Sequence, residues 1–419
     1  MQRVMVSFLG RGAEALGWRY RDAVYDFSGE RYAHRYFGAA LLAHLEEHGR
    51  RPERLLVLGT AGSSWHEPLA ALGEDDLIDE SLIRAVAEQR VTAADLAPFA
   101  GLSSGLGIEV TPLIIPDGRS ETELLAIPGL LMRHAPRGAK LTLDATHGYR
   151  HLPLAGLVSA LMLETLAGAS VEAIYYAGLD MTAGGLTPVL RLDGVLSLVR
   201  WLEAVRVFDL TGEVGALADR IEQETGSTLS DDLAGLAFAE ETTRLSDGFG
   251  LAAAVLQGLT RLEGPVASLI KPAIAERLDW ARAGSRPERQ ARLALTLLAR
   301  GRFNRASLMA FEAVAAELVE RSRAGGGAHD REGLGADFNN LERGRRKARF
   351  PAERKLASAY LDLKDLRNGI AHAGPVSRPG AKAALRTETE LGTFLRRIVT
   401  DVFPHLGPKS AGPTSGGKR

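Results

Sequence analysis

Five short segments in residues 1–185 are rich in β-branched residues and almost continuously apolar: Val4–Leu9, Leu55–Leu58, Ile108–Ile115, Lys140–Leu143 and Val171–Ala177. That is the pattern of strands buried on both faces. Between them, apolar positions recur at helical spacing over Tyr32–His48, Leu77–Gln89, Ser120–His134 and Leu154–Leu166. Strand and helix in alternation predict a doubly wound, Rossmann-like α/β sheet. In such sheets ligands bind at the carboxyl ends of the strands.

From about residue 185 onward the pattern becomes helical. Val195–Val207, Val214–Glu224, Asp231–Leu245 and Ala252–Leu262 are expected helices without evident chemistry. Arg289–Arg300, Ala306–Arg321, Ala352–Ala373 and Ala381–Val402 follow, with a glycine loop, Gly325–Gly327, between the second and third. The expected organisation is an α/β domain at 1–185, an all-α linker at 186–286, an all-α domain at 287–406 and a disordered Gly/Ser/Pro/Lys tail at 407–419.

Composition narrows the function classes. The chain has no cysteine, which excludes disulfides, thiolate zinc sites and iron–sulfur clusters, and fits a cytoplasmic protein. No apolar run is long enough to span a membrane, and the amino-terminal MQRVMVSFLG reads as a strand, not a signal peptide. Charge is unevenly spread: residues 1–286 sum to −12 and residues 287–406 to +8. A long polyanion would therefore meet the carboxyl-terminal part.

Three loops at expected strand ends carry groups suited to an anionic ligand. They are Gly10-Arg11-Gly12, then Gly59-Thr60-Ala61-Gly62-Ser63-Ser64-Trp65, then Asp144-Ala145-Thr146-His147-Gly148-Tyr149-Arg150. Each offers glycine-exposed backbone N–H groups, hydroxyls or a cation, and the third opens a helix whose amino end favours anions. Each would also serve simply as a turn. Gly10-x-Gly12-x-x-Ala15 resembles a dinucleotide fingerprint, but Trp18–Tyr25 reads as extended chain where the fingerprint needs a helix.

The segment Arg367-Asn368-Gly369-Ile370-Ala371-His372 closes a predicted helix. Arg367 shares the apolar stripe of Leu356, Tyr360, Leu363 and Ile370, where a guanidinium needs a partner or an interface. A permanent cation beside an imidazole suits phosphate-ester chemistry; it would equally serve as a helix-end charge. Upstream, Arg343, Arg345, Arg346, Lys347 and Arg349 form the densest basic run, either a solvated face or an RNA-backbone contact.

Asp144-Ala-Thr-His-Gly148 matches the DxTHG signature, and with it the sequence resembles the CRISPR-associated DxTHG-motif proteins of type III systems. The Phe-Leu-Gly end of the first strand, Tyr20–Phe27, Gly59-Thr60 with Ser64-Trp65, and Leu196–Trp201 agree with that resemblance, as does Arg367-Asn368 with His372, which is similar to a HEPN ribonuclease motif.

The resemblance implies a CARF sensor of cyclic oligoadenylate joined to a HEPN nuclease. The expected protein is a homodimer, or a higher oligomer, that binds its messenger across two sensors and cuts single-stranded RNA without a metal or other cofactor. The 2′-hydroxyl would attack, leaving a 2′,3′-cyclic phosphate and a 5′-hydroxyl. On these terms His372 carries the proton, Arg367 stabilises the phosphate and Asn368 orients the site. Gly10, Arg11, Gly12, Gly59, Thr60, Gly62, Ser63, Ser64, Thr146, His147, Gly148 and Arg150 become candidates for the ligand, with cyclic tetra-adenylate ahead of the hexamer. Two alternatives stay open: a sensor that binds RNA without cutting it, and a sensor that also degrades its ligand.

Overall fold

The computed structural model describes residues 1–406 apart from 74, 75, 77, 226–228, 265, 325–329 and 351. Leu77, the Gly325–Gly327 loop and the 407–419 tail named above lie outside the described residues. The chain divides into two compact units, Met1–Ser197 and a second from Leu198 onward.

The first unit is built on one eight-stranded sheet. Its strands are β1 (Arg3–Phe8), β2 (Ala23–Phe27), β3 (Glu30–His34), β4 (Arg54–Gly59), β5 (Glu109–Ile114), β6 (Lys140–Asp144), β7 (Ser170–Ala177) and β8 (Leu186–Arg191). The order across the sheet is β3-β2-β8-β7-β6-β1-β4-β5. The run β7-β6-β1-β4-β5 is parallel throughout. Pairing of β7 with β8, and of β2 with β3, is antiparallel. Strand order reverses at β1, whose neighbours are β4 and β6, so the loops after β1 and β6 meet at the switch point where open α/β sheets bind ligands.

Alternation along β1 shows why this sheet is covered on both sides. Val4, Val6 and Phe8 enter one core with Leu56, Leu58, Leu141 and Leu143. Met5 and Leu9 enter the other with Leu55 and Val57. Helices α5 (Glu121–His134) and α6 (His151–Ala167) supply the first layer; α1 (Phe37–Glu47), α2 (His66–Ala71), α3 (Glu80–Ala87) and α4 (Phe99–Leu106) supply the second. The Ser120 hydroxyl caps α5 by accepting from Glu123 N, and the Asp79 carboxylate caps α3 through Leu82 N.

Two local expectations fail in this unit. Helical pattern was expected from Tyr32, but Glu30–His34 is a strand paired with β2, and the helix starts at Phe37. Strand β8 lies beyond residue 185, where helix alone was expected. Its Pro188 masks it, because proline breaks the strand signature.

The second unit is helical. It comprises the rest of α7 (Asp193–Thr211), then α8 (Gly215–Thr225), α9 (Leu229–Glu241), α10 (Leu245–Arg261), α11 (Ala267–Arg277), α12 (Arg286–Ala299), α13 (Phe303–Ala324), α14 (Arg331–Glu342), α15 (Glu353–His372), α16 (Pro379–Ala384) and α17 (Glu388–Val402). One buried cluster runs from Trp201 to Phe403, so helices on both sides of residue 286 share a core. The segment expected as one helix from Ala381 to Val402 is two, because Thr387 caps a new start by accepting from Glu390 N.

Candidate functional site

The first candidate site is a cavity of about 930 Å³ at the sheet's switch point. Its wall includes Gly10, Arg11, Gly12, Thr60, Ser63, Thr146, His147 and Gly148 from the three loops singled out in the sequence. Gly59, Gly62, Ser64 and Arg150 fall outside the lining. Ser64 is fully buried; its hydroxyl donates to Trp18 O at 2.5 Å and accepts from Gly12 N at 2.9 Å. Gly59 backs onto Trp65, Gly62 onto Gln89 and Arg11, and Arg150 is an exposed residue at the start of α6.

The lining hydroxyls are tied to backbone. Ser63 Oγ accepts from Thr60 N at 2.9 Å and donates to Leu9 O at 3.0 Å, which locks the loop after β4 to the end of β1. Thr146 Oγ1 accepts from Ala177 N at 2.9 Å. Arg11 lies over the Trp18 ring at 3.8 Å and donates to Ala87 O. The DxTHG loop is anchored from beneath. Asp144 is fully buried and accepts from Thr146 N at 2.9 Å and from the Ser7 hydroxyl at 2.5 Å. Burial raises its pKa to about 6, against the lowering effect of those hydrogen bonds.

His147 is buried and stacked flat on Tyr20, ring centroids 4.3 Å apart and planes 6° from parallel. Burial lowers its pKa to about 4, so the imidazole is neutral at pH 7. Tyr20 holds Gly10 at both ends of its residue: the phenol accepts from Gly10 N at 2.8 Å and donates to Gly10 O at 2.9 Å. The lining also includes Arg19, Arg21, Asp22, Arg35 and residues of the β2–β3 hairpin, with Asp180, Thr182 and Thr187. These residues were missed as site candidates. For Arg19, Arg21 and Asp22 the one signal was the density of arginine and aromatic residues in Trp18–Tyr25, which reads equally as an ordinary strand; Arg35, Asp180, Thr182 and Thr187 carried none.

The second candidate site closes α15. Tyr360, Leu363 and Leu366 are buried, and Tyr360 meets Phe311 and Phe338 at 5.7 and 5.4 Å. Arg367, one turn on, lies 5.8 Å from the Phe311 ring centre and donates to Asn368 Oδ1 at 3.0 Å. His372 is the last helical residue and is exposed. Ala373 ends the helix in the left-handed region at φ 50°, donating to Gly369 O. A Cβ at Gly369 would lie 2.5 Å from Val376 Cγ1, so the returning chain requires glycine there. Asp365 accepts from Ser377 N and Arg378 N, and Arg378 pairs with Asp362 and Glu342, which fixes that return.

No family model matches this chain, and no curated protein does. A solved structure of similar arrangement is Enterococcus italicus Csm6 bound to cyclic hexa-2′-fluoro-hexa-dAMP. It is 11% identical, with 97% of this chain set against 95% of that one, at a TM-score of 0.39.

Within the basic run, Arg346 is committed to carboxylates. It donates to Asp337 Oδ2 at 2.7 Å and to Glu353 Oε1 at 2.8 Å, and Arg349 reaches Asp337 at 3.0 Å. Arg343, Arg345 and Lys347 are exposed. Among the described residues no helix is long and apolar enough to cross a membrane.

Proposed function

We propose that this protein is a cyclic-oligoadenylate-activated endoribonuclease that cuts single-stranded RNA without a metal, as the DxTHG and Arg367–His372 motifs imply. The observation that carries the reading is the end of α15. There a guanidinium held by Asn368 and an exposed imidazole occupy the same helix terminus. The reaction needs little more. His372 accepts the proton of the RNA 2′-hydroxyl, and its oxygen bonds to the adjacent phosphorus. The bond from phosphorus to the 5′-oxygen breaks, and that oxygen takes a proton from an imidazolium. Arg367 stabilises the charge of the phosphorane, and Asn368 positions Arg367. Because the nucleophile is the 2′-hydroxyl, DNA is excluded.

The cavity of the first unit is the proposed messenger site. Its position at the switch point, the glycines at the ends of β1 and β6, and the cations Arg19, Arg21 and Arg35 suit a cyclic polyanion of adenylates. Cyclic tetra-adenylate is the proposed activator. A homodimer is part of the proposal, with two Arg–His sets forming one site. Leu154, Val158, Met162 and Leu166 leave an apolar stripe along α6 at four-residue intervals, each more than a third exposed, which favours pairing through that helix.

The test is cleavage of labelled single-stranded RNA in chelator, with each cyclic oligoadenylate in turn. Cleavage that depends on one ring size, with 2′,3′-cyclic phosphate ends, is expected. Messenger binding without any cleavage would instead leave a sensor with no nuclease.

A further inference from the structure

The β2–β3 hairpin and the end of α1 bring together three side chains that the proposed function leaves unused. Glu30 opens β3, His44 lies in the last turn of α1, and His48, four residues on, caps that helix. His44 Nδ1 stands 3.1 Å from one Glu30 carboxylate oxygen, and His48 Nε2 stands 3.3 Å from the other. One nitrogen of each histidine and one Glu30 oxygen all fall within 4.8 Å of one another. Atoms held at zinc bond lengths and tetrahedral angles are roughly 3.3 Å apart. Each His–Glu gap, measured to its own carboxylate oxygen, is close to that length, as in a shell to which Glu30 offers both oxygens.

We propose that Glu30, His44 and His48 bind a divalent transition-metal ion of the zinc type, with a fourth position left for water. The tautomer of His48 supports this. Its Nδ1–H donates to His44 O at 2.8 Å, which leaves the Nε2 lone pair facing Glu30. A bond from the second ring nitrogen to a backbone carbonyl is how ligating imidazoles are commonly oriented. His44 supports it differently. Its Nδ1 faces a Glu30 oxygen 3.1 Å away, so an imidazole from α1 and a carboxylate from β3 converge on one point. The His44 ring is already fixed, stacked on Phe27 at 4.2 Å and 17°.

The competing arrangement is a metal-free ion pair between a charged histidine and Glu30. The metal would do more, because it would fasten the hairpin to α1. That hairpin carries Val24, Tyr25, Ala33 and His34 to the cavity wall, so the ion would stiffen one side of the cavity. This inference stands apart from the identity of the cavity's ligand and from any RNA cleavage.

The test uses the full chain, stripped with chelator, then titrated with Zn²⁺ by calorimetry and with Co²⁺ by visible absorbance. One Zn²⁺ per chain, a Tm that rises with Zn²⁺ and a Co²⁺ d–d spectrum are expected. The Glu30 and His48 side chains are largely exposed, so Glu30→Gln and His48→Ala should keep the native circular dichroism. Each should weaken binding by more than about 100-fold. Zn²⁺ binding of equal strength in both variants, or no stoichiometric binding by the native chain, would overturn the proposal.

Discussion

Gly10 and Gly148 meet backbone to backbone at the switch point: a Cβ on Gly10 would stand 2.7 Å from Gly148 N. Gly148 itself is at φ 100°, a conformation that side chains rarely adopt. The close approach depends on Gly10 lacking a side chain, and the turn at Gly148 depends on its positive φ. Gly10→Ala should push the DxTHG loop outward and destabilise the first unit by about 1–3 kcal/mol. Binding of cyclic oligoadenylate should weaken in the same variant. Urea denaturation and a binding titration measure the two effects; a native midpoint with native affinity would contradict the close contact.

Acid stability should depend on a balance between Asp144 and two buried histidines. Burial lowers the pKa of His147 to about 4, and burial with Arg19 and Arg35 lowers His66 to about 4. Unfolded histidines titrate near 6.5, so the stability these two contribute is full above that pH and is lost as pH falls through about 4. Asp144 acts oppositely. Its folded pKa of about 6 exceeds the unfolded value, so its contribution is present below pH 4 and lost as pH rises through 6. Asp144→Asn removes that counterweight while keeping an acceptor for Thr146 N. The loss of stability between pH 7 and pH 4 should then grow by about 2–3 kcal/mol. Urea midpoints at the two pH values check this, and an unchanged difference would refute it.

The parts of the fold that were legible are those where one interaction dominates. Leu55–Leu58 is buried on both faces, so apolar continuity alone identifies it, and Val171–Ala177 keeps enough of that run despite the exposed Glu172. Glu30–His34 alternates exposed and half-buried residues beside one antiparallel partner, and nothing local separates it from a helix start. The glycines of the cavity were legible because close backbone approach leaves no alternative residue. The roles of Ser63 and Ser64 were not, because their hydroxyls are taken by Leu9, Gly12 and Trp18, which lie far along the chain. Arg346 is a similar case. Its charge was visible in the sequence, but its partners Asp337 and Glu353 became visible only once α14 and α15 packed.

Substitutions at the end of α15 should separate chemistry from folding. His372 is exposed, so His372→Ala should leave Tm and messenger affinity unchanged while RNA cleavage falls by about 10²–10⁴-fold. Arg367→Lys should cleave no better than Arg367→Ala, because an ammonium does not reproduce the planar fork that a guanidinium presents to a phosphate. Rates measured at saturating messenger test both. Full cleavage by His372→Ala would remove it from the reaction.

Neighbouring cations of the basic run should behave in opposite ways. Arg346 ties α14 to α15 through Asp337 and Glu353, and Glu353 is almost wholly buried. Arg346→Ala would leave that carboxylate without its main partner and should cost about 2 kcal/mol of stability, discounted for partial exposure of the guanidinium. Arg343 and Lys347 are exposed and should serve the RNA backbone if this face binds it. Arg343→Ala and Lys347→Ala should keep the native Tm, weaken RNA binding about equally for all sequences, and each lower the slope of log affinity against log salt by about 1. Thermal melts with RNA-binding titrations at several salt concentrations separate the two classes. A native salt slope in the Arg343 and Lys347 variants would show that the run is a solvated face.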